Sequence, residues 1–440
     1  MQKSDHRVAV VGGGPAGLMA AETLARAGRS VTVYDRMPRV ARKLLLAGRG
    51  GLNLTHSEPK DRFMRRYRDA AGRLEGPIGA FGPEALRAWC EALGQETFVG
   101  SSGRVFPRAM KTSPLLRAWI ARLGEFGVAF RLGHRWIGWD GANRLVFATP
   151  EGREAVDTNA TILALGGASW PRLGSDGSWV APFEEGGISV APLTPSNAGV
   201  AVAWSDVFRE RFAGRPLKRI ALSCAGETVR GEAMITRAGL EGGGVYAMSA
   251  PIRSELAAHG TATLAIDLRP DENEDAIEAR LAKPRGKQST ATTLRKALHL
   301  DPVGVGLLNE AAHHDGTSLA ALGRAEIARR VKCVPVTVSA LAPIERAIST
   351  AGGIRFDEID STFMLLKRPG TFVAGEMIDW DAPTGGYLLQ ACFATGRAAA
   401  EGALGYLECA TAGTEKDYSS ISPRRISSSS HRSSAAASAA

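Results

Sequence analysis

The sequence predicts an α/β fold, in which a domain with a parallel β-sheet is interrupted by an inserted α+β or β-barrel-like domain. An apolar strand at residues 8–11 runs directly into a glycine-rich turn and a helix, and glycine turns with apolar strands return near residue 370. Between them the pattern changes to short alternating segments mixed with two polar helical stretches. We therefore expect one domain in two parts, 1–191 and 344–408, around an insert at 192–343.

The glycine-rich turn has the spacing of a dinucleotide site. Gly12 allows a tight turn after the strand, Gly14 lets a pyrophosphate approach the backbone, and Gly17 lets the helix pack against the sheet. The first helical residues, Pro15 and Ala16, present free N–H groups and the positive end of the helix dipole to the phosphates. The turn therefore predicts a Rossmann-type fold.

The second strand supports this interpretation, because it ends at an acidic residue. Asp35 stands where a carboxylate accepts hydrogen bonds from the ribose hydroxyls, and its charge disfavours a 2′-phosphate. The adjacent Arg36 is a further candidate contact. This fingerprint alone does not distinguish FAD from NAD.

Bulk composition narrows the class of protein. Of the 440 residues, 44% are hydrophobic and 22% are charged, as in ordinary soluble proteins. No apolar run approaches the ~20 residues of a membrane helix, and the polar N-terminus shows no secretory signal. The five cysteines include no Cys-x-x-Cys pair, which argues against zinc, iron–sulfur and redox-disulfide sites. We expect a cytoplasmic protein without a metal or a membrane segment.

The net charge of +9 raises the question of nucleic acid. The basic residues are dispersed and aromatic residues make up only 6%, so no stacking platform is indicated. Positive potential also suits a cofactor that carries a pyrophosphate. Nucleic acid is therefore an unlikely partner, and the oligomeric state stays open.

The Ser-, Ala- and Arg-rich segment 409–440 is expected to be a disordered tail.

Four distal segments resemble a known family. They are residues 39–55 (RVARKLLLAGRGGLNLT), 235–242 (ITRAGLEG), 350–354 (TAGGI) and 372–390 (FVAGEMIDWDAPTGGYLLQ). Together with the turn they resemble, in order, the YhiN/BaiN-type NAD(P)/FAD-dependent oxidoreductases. The resemblance implies FAD as cofactor and a glutathione-reductase-like FAD-binding domain assembled from both ends of the chain.

The resemblance also implies where the cofactor lies. Its ADP half would lie on Gly12–Gly17 and Asp35. Its flavin end would be bounded by Arg42, Lys43, Gly48, Asn53, Thr55, Gly385, Gly386 and Tyr387. The strand end at Ala164 and Gly166 is a further expected close approach of backbone to cofactor.

The residues themselves agree with this placement. Gly375 and Glu376 follow an apolar strand and place backbone N–H groups near the second phosphate, while Asp379 or Asp381 can bond the ribityl hydroxyls. An ordinary cap or turn carboxylate is the alternative for Glu376 and Asp379. The glycine pair 385–386 leaves a bare helix N-terminus whose dipole can stabilise negative charge on reduced flavin.

The sequence also departs from the family. The loop that carries the family's cysteine has Leu52 at that position, and the inserted segment has Arg237 in place of its histidine. Chemistry at that cysteine therefore does not carry over.

Candidates for substrate contact or proton transfer are Arg49, Asn53, His56 and Tyr387. His56 can act as an acid near neutral pH, although a surface role is the commoner one for such a histidine. Arg104 faces either the flavin cleft or solvent, and Cys392 is expected to be a packed helix residue.

These observations favour an FAD-dependent oxidoreductase, a reductase that passes hydride from NAD(P)H to an unidentified small organic acceptor. No second dinucleotide fingerprint exists for NAD(P)H, so it would dock transiently. An FAD-only hydroxylase or oxidase and a flavin-binding, RNA-associated protein are the alternatives.

Overall fold

The computed structural model describes residues 7–282 and 288–411, apart from the side chains of Arg49 and Thr411. The strands, in chain order, are β1 (Arg7–Val11), β2 (Ser30–Asp35), β3 (Thr55–His56), β4 (Thr97–Val99), β5 (Arg104–Pro107), β6 (Ala129–Leu132), β7 (Arg135–Trp139), β8 (Leu145–Thr149), β9 (Gly152–Val156), β10 (Ala160–Leu163), β11 (Val190–Ser196), β12 (Val200–Val202), β13 (Pro216–Cys224), β14 (Glu227–Ile235), β15 (Gly239–Glu241), β16 (Ala262–Asp267), β17 (Val334–Leu341), β18 (Ser349–Ile354) and β19 (Thr371–Val373).

The α-helices are α1 (Pro15–Arg26), α2 (Arg42–Ala47), α3 (Lys60–Arg65), α4 (Ala71–Ala80), α5 (Pro83–Glu91), α6 (Thr112–Glu125), α7 (Val180–Glu185), α8 (Asp206–Phe212), α9 (Gly243–Ala247), α10 (Ser249–His259), α11 (Glu274–Leu281), α12 (Thr290–Leu298), α13 (Pro302–His314), α14 (Arg324–Lys332) and α15 (Tyr387–Thr411).

A parallel sheet of five strands forms the centre of the first domain, in the order β19-β10-β1-β2-β6. Strand β1 is buried along residues 8–11, which explains its unbroken apolar sequence. Helices α1 and α15 cross in close contact: a Cβ on Gly396 would lie 2.2 Å from the carbonyl oxygen of Ala16. The two ends of the chain therefore share one layer, and the Rossmann-type prediction is confirmed.

The insert is a closed six-stranded barrel, in the order β12-β15-β14-β13-β16-β17, with its own apolar core. The barrel-like prediction is thus confirmed. The antiparallel pair β11 and β18 carries the chain into and out of the insert side by side. Helices α8 to α14 accompany the barrel, more than the two polar stretches read from the sequence. Gly304 and Gly306 weaken the helical signal of α13, yet Gly306 packs directly on the Phe212 ring.

Two further expectations need correction. The apolar spacing in residues 81–126 predicts helices throughout, but the structure contains strands β4 and β5 between α5 and α6. The sequence after the glycine pair 385–386 predicts a last helix from Tyr387 to about Ala403; this helix continues to Thr411, so residues 409–411 of the predicted tail are helical. The remainder of the predicted tail, 412–440, lies outside the described residues.

A buried carboxylate ties α1 to the helices that follow. Glu22 is 2% exposed and accepts hydrogen bonds from the indole N–H groups of Trp119 at 2.7 Å and Trp89 at 3.0 Å. Arg122 bonds its other oxygen at 3.3 Å. A carboxylate on a core-facing helix position is therefore neutralised and hydrogen-bonded, as burial requires.

Replacing Glu22 with alanine should lower the free energy of unfolding by about 3–5 kcal/mol, because it leaves buried donors and a charge without a partner. Denaturant unfolding followed by tryptophan fluorescence measures this. Glu401→Ala is the matched control: it breaks the exposed Arg397–Glu401 pair of 2.7 Å and should cost no more than about 1 kcal/mol. Equal losses in the two variants would contradict this role for Glu22.

Candidate functional site

A cleft opens at the carboxyl ends of β1, β2, β10 and β19, where parallel sheets of this kind bind ligands. Twelve of the residues expected to contact the cofactor line it: Gly12, Gly14, Pro15, Ala16, Asp35, Arg36, Arg42, Lys43, Ala164, Gly166, Gly375 and Glu376. Four separate stretches of chain therefore meet here.

The glycines of the first turn are required by backbone contacts. Gly12 has φ +104°, and a Cβ there would lie 2.2 Å from the carbonyl oxygen of Ala164. A Cβ on Gly17 would lie 1.9 Å from the carbonyl oxygen of Gly12. Gly14 is different: no atom lies within 4 Å of the position of its missing Cβ. The start of α1 is therefore bare where a phosphate can approach it.

Asp35 is held in place by the turn. Its Oδ2 accepts a hydrogen bond from the N–H of Gly13 at 2.8 Å, and its Oδ1 accepts one from Met37 at 2.7 Å. Burial raises the pKa of Asp35, and these hydrogen bonds oppose part of the rise. Arg36 forms an ion pair with Asp176 on the far wall of the cleft.

A second carboxylate organises the opposite end of the cleft. Glu376 Oε2 pairs with Lys43 Nζ at 2.7 Å, and its Oε1 accepts a hydrogen bond from the N–H of Thr350 at 3.0 Å. Lys43 also donates to Ser169 Oγ at 2.6 Å. This network joins both parts of the first domain, so Glu376 is more than a turn carboxylate.

Arg39 and Arg42 lie on the same wall as Lys43, but their side chains are not paired with a carboxylate of the described residues, as Lys43 is with Glu376. Within residues 7–282 and 288–411, the structure shows neither an ion pair nor a side-chain hydrogen bond for these two guanidinium groups. Within the described part of the chain, the cleft thus has two guanidinium groups that no direct ion pair holds.

The other expected cofactor residues lie outside this lining: Gly17, Gly48, Asn53, Thr55, Asp379, Gly385, Gly386 and Tyr387. Some of them still meet. Gly386 has φ +95°, and a Cβ there would lie 2.5 Å from the Cα of Thr55. Asn53 Oδ1 and Thr55 Oγ1 are buried without a hydrogen-bond partner among the described residues. The loop 53–55 therefore carries polar atoms that no protein group satisfies.

Tyr387 belongs to a hydrogen-bonded group behind this loop. Its hydroxyl donates to Glu58 Oε1 at 2.6 Å, and its ring stacks on His56 with 5.4 Å between ring centres. Burial alone would raise the pKa of Glu58, but hydrogen bonds from Arg66 and Tyr387 outweigh it and lower the pKa. Burial raises the pKa of Tyr387, with the Glu58 hydrogen bond adding to the rise.

His56 itself is tied to backbone on both sides of its ring. Nδ1 lies 3.1 Å from the N–H of Glu58, and Nε2 lies 3.0 Å from the carbonyl oxygen of Ser102. These contacts favour a structural role. Arg104 is exposed beside it on β5, and the side chain of Arg49 lies outside the described residues.

Several lining residues were not predicted from the sequence as cofactor contacts: Arg39, His134, Trp136, Ser175, Asp176, Trp179 and Cys392. Ser175 Oγ and Trp136 Nε1 are buried without a partner among the described residues. Cys392 packs against the apolar core, as expected, and also lines the cleft; burial raises the pKa of its thiol to about 12. None of these positions follows a periodicity that could have marked it.

The segment before α15 is fastened to the insert by Asn197. Its Nδ2 donates to Ala382 O at 2.8 Å and to Ser349 Oγ at 2.7 Å, and its Oδ1 accepts from the N–H of Thr384 at 2.8 Å. Asn197 is 1% exposed and has φ +50°.

Asp381, in the same segment, bonds Ser196 Oγ at 2.6 Å and Arg253 at 2.9 Å, which holds it to the insert side. Asp379 is half-buried, and burial raises the pKa of its carboxyl.

Comparison with known proteins now identifies the family. The HI0933-like protein Rossmann domain matches residues 6–402. The chain belongs to this family. It is accordingly a flavoprotein oxidoreductase with a Rossmann-type FAD-binding fold, as the distal segments predicted.

Two relatives are similar to almost the whole chain. A 3-dehydro-bile acid delta(4,6)-reductase of Clostridium scindens is 24% identical over 411 residues, covering 90% of this chain and 99% of its own. A ribosomal RNA dihydrouridine synthase of Haemophilus influenzae is 24% identical over 405 residues, covering 87% and 94%. Among solved structures, a 3-ketosteroid delta1-dehydrogenase of Sterolibacterium denitrificans aligns with TM-score 0.48 and 14% identity, covering 91% of this chain and 99% of its own.

Among the described residues, none of the helices combines the length and the hydrophobicity that a membrane span requires. No group of three or more His, Cys, Asp or Glu side chains in the same ranges is arranged to hold a metal ion.

Asn197→Asp should lower the free energy of unfolding by about 2–4 kcal/mol, because a buried carboxylate would then face the Ala382 carbonyl without a donor. Differential scanning calorimetry should show a lowered Tm. The matched control is Asn143→Asp, since Asn143 also has a positive φ but keeps only an acceptor contact to Arg368 at the surface. Equal stability of Asn197→Asp and Asn143→Asp would show that Asn197 does not hold the segment before α15 in place.

Proposed function

We propose that the cleft binds FAD and that the protein is a reductase, which takes hydride from NAD(P)H and delivers it to a small unsaturated organic acceptor. When bound, FAD supplies the two-electron chemistry that links donor and acceptor. The observation that carries the proposal is the shape and charge of the cleft: a bare helix N-terminus at Gly14, a half-buried carboxylate at Asp35, and two guanidinium groups, Arg39 and Arg42, without an ion pair among the described residues.

The protein residues fit the parts of FAD in order. The N–H groups at the start of α1, with Arg39 and Arg42, suit the two charges of a pyrophosphate. Asp35 retains lone pairs that can accept bonds from ribose hydroxyls. The unsatisfied oxygens of Asn53 and Thr55 are suited to the polar edge of the flavin ring. Lys43 is already neutralised by Glu376, so it supports the cleft wall rather than supplying free charge.

The two named relatives support the direction of the reaction. One is named a reductase and the other an enzyme that forms dihydrouridine, and both names describe reductions. Leu52 stands where the family has a cysteine, so the proposal assigns no thiol chemistry to that loop.

Ribosomal RNA is a second candidate acceptor, favoured by the Haemophilus influenzae relative and by the net charge of +9. Binding to RNA that depends on salt alone, regardless of sequence, would indicate only electrostatic attraction. Hydrogenated uridine in RNA treated with the protein and NAD(P)H would favour this candidate over a small acceptor.

The proposal is tested by the visible spectrum of the purified protein under anaerobic titration with NADH or NADPH. Bleaching of the oxidised flavin band is the expected result, and the donor that bleaches it faster is the preferred one. A flavin band that persists with both donors would overturn the NAD(P)H part of the proposal. Absence of any flavin band, after incubation with FAD, would overturn the cofactor assignment.

FAD affinity should also depend on pH through Asp35. The ionised carboxylate accepts the ribose bonds, and its pKa lies above the ordinary 3.8 because of burial. Affinity should therefore be constant near neutral pH and fall, by up to about tenfold per pH unit, as the pH drops through this raised pKa. Recovery of free FAD fluorescence measures it. Asp35→Asn should bind more weakly at neutral pH and lose this pH step; an unchanged step would assign it to another group.

A further inference from the structure

A second cavity lies where the insert meets the first domain. It encloses about 200 Å³, and its walls include three arginines that follow one another closely, Arg65, Arg66 and Arg68, facing Glu227 and Tyr246 of the insert. Pro383, two residues before the glycine pair that begins α15, also lines it. We call it the arginine cavity.

The cavity adjoins the proposed flavin end through Tyr387. The guanidinium of Arg66 lies 5.6 Å from the centre of the Tyr387 ring. Arg66 is itself fixed by two hydrogen bonds to Glu58, at 2.9 and 2.8 Å. Arg66 therefore forms part of the cavity wall next to Tyr387, with its guanidinium held by Glu58.

The other two arginines are available to a ligand. Arg65 is exposed and has no ion pair or hydrogen bond to its guanidinium among the described residues. Arg68 makes a bidentate pair with Glu227, at 2.7 and 2.8 Å, across the mouth between the two domains. Both partners are 40–48% exposed, so water screens the pair and its net contribution to stability is small.

The backbone of Arg68 indicates that this placement matters. Arg68 has φ +50°, a left-handed conformation that non-glycine residues adopt at a cost. Such conformations concentrate at binding sites. The geometry of the Arg68–Glu227 pair is the one with which arginine binds a carboxylate ligand, so a carboxylate from solution can replace Glu227 one for one.

We propose that the arginine cavity binds the carboxylate of a small unsaturated organic acid through Arg65 and Arg68, and that this acid is the hydride acceptor. Its C=C bond would take the hydride on one carbon and, on the other, a proton that the phenol of Tyr246 can donate and regain from water. The inference rests on the proposed function, and it adds the chemical class of the acceptor. The cavity volume of about 200 Å³ suits a small acid rather than a folded polymer. Tyr246 lines the same cavity, and burial raises the pKa of its phenol, so it carries a proton at neutral pH.

The test is calorimetric titration of the FAD-loaded protein with cinnamate and with its neutral amide, cinnamamide. Cinnamate should bind, and cinnamamide should bind at least tenfold more weakly. Arg65→Gln and Arg68→Gln should each weaken cinnamate about tenfold and leave cinnamamide unchanged. Glu227→Gln should tighten cinnamate severalfold, because Arg68 loses its competing anion. Arg230→Gln, which removes an exposed arginine paired with Asp271 outside the cavity, is the matched control and should change nothing.

Several results would overturn the inference: no binding of cinnamate, equal affinity for acid and amide, or weaker cinnamate binding by Glu227→Gln. Binding of a short RNA in place of cinnamate, lost with Arg65→Gln, would reassign the arginines to phosphate. The flavin spectrum with NADH, taken on the same samples, separates the two proposals. Arginine-dependent cinnamate binding with a flavin that NAD(P)H does not bleach would retain the site and reject the NAD(P)H-dependent reductase.

Discussion

Close contact of backbone with backbone at the edge of the parallel sheet is the constraint on which the rest of this structure depends. Gly12 lies against the carbonyl of Ala164, Gly17 against that of Gly12, and Gly396 against that of Ala16. Each contact excludes a Cβ. Together they bring the end of β10, the start of α1 and the last helix within reach of one ligand, which no arrangement with side chains at these points could do.

This constraint explains the divided domain. Helix α15 must return from the far end of the chain to pack on α1, so everything between β10 and β19 has to leave the sheet and come back. The paired strands β11 and β18 make that exit and return adjacent. Asn197 then fastens the returning segment, through Ala382 and Thr384, to the base of the insert. A movement of the barrel would therefore displace the segment 382–384, which leads into α15.

The same geometry explains which parts of the fold and of the cleft could be predicted from the sequence. The Gly12–Gly17 turn and Asp35 are local in sequence, and each demands a residue type, so they were found without the structure. Ser175 and Trp136 reach the cleft through loop and meander conformations that impose no pattern. The burial and hydrogen bonding of Glu22 could not be predicted from the sequence, because its partners Trp89 and Trp119 lie on two other helices. The barrel was visible as alternating strands, whereas its glycine-containing helix α13 is stabilised by packing rather than by propensity.

Charge pairing distinguishes residues that build the protein from residues placed to bind. Lys43 is neutralised by Glu376 and Arg36 by Asp176, and both pairs join separate segments of the first domain. Arg39 and Arg42 lie beside them without such partners among the described residues, where the proposed pyrophosphate requires positive charge. The arginine cavity shows the same contrast: Arg66 is held by Glu58, whereas Arg65 has no ion pair within the described ranges and Arg68 pairs with the exposed Glu227. Since an exposed pair contributes little stability, Arg68 and Glu227 can separate at a small free-energy cost when another anion competes for Arg68.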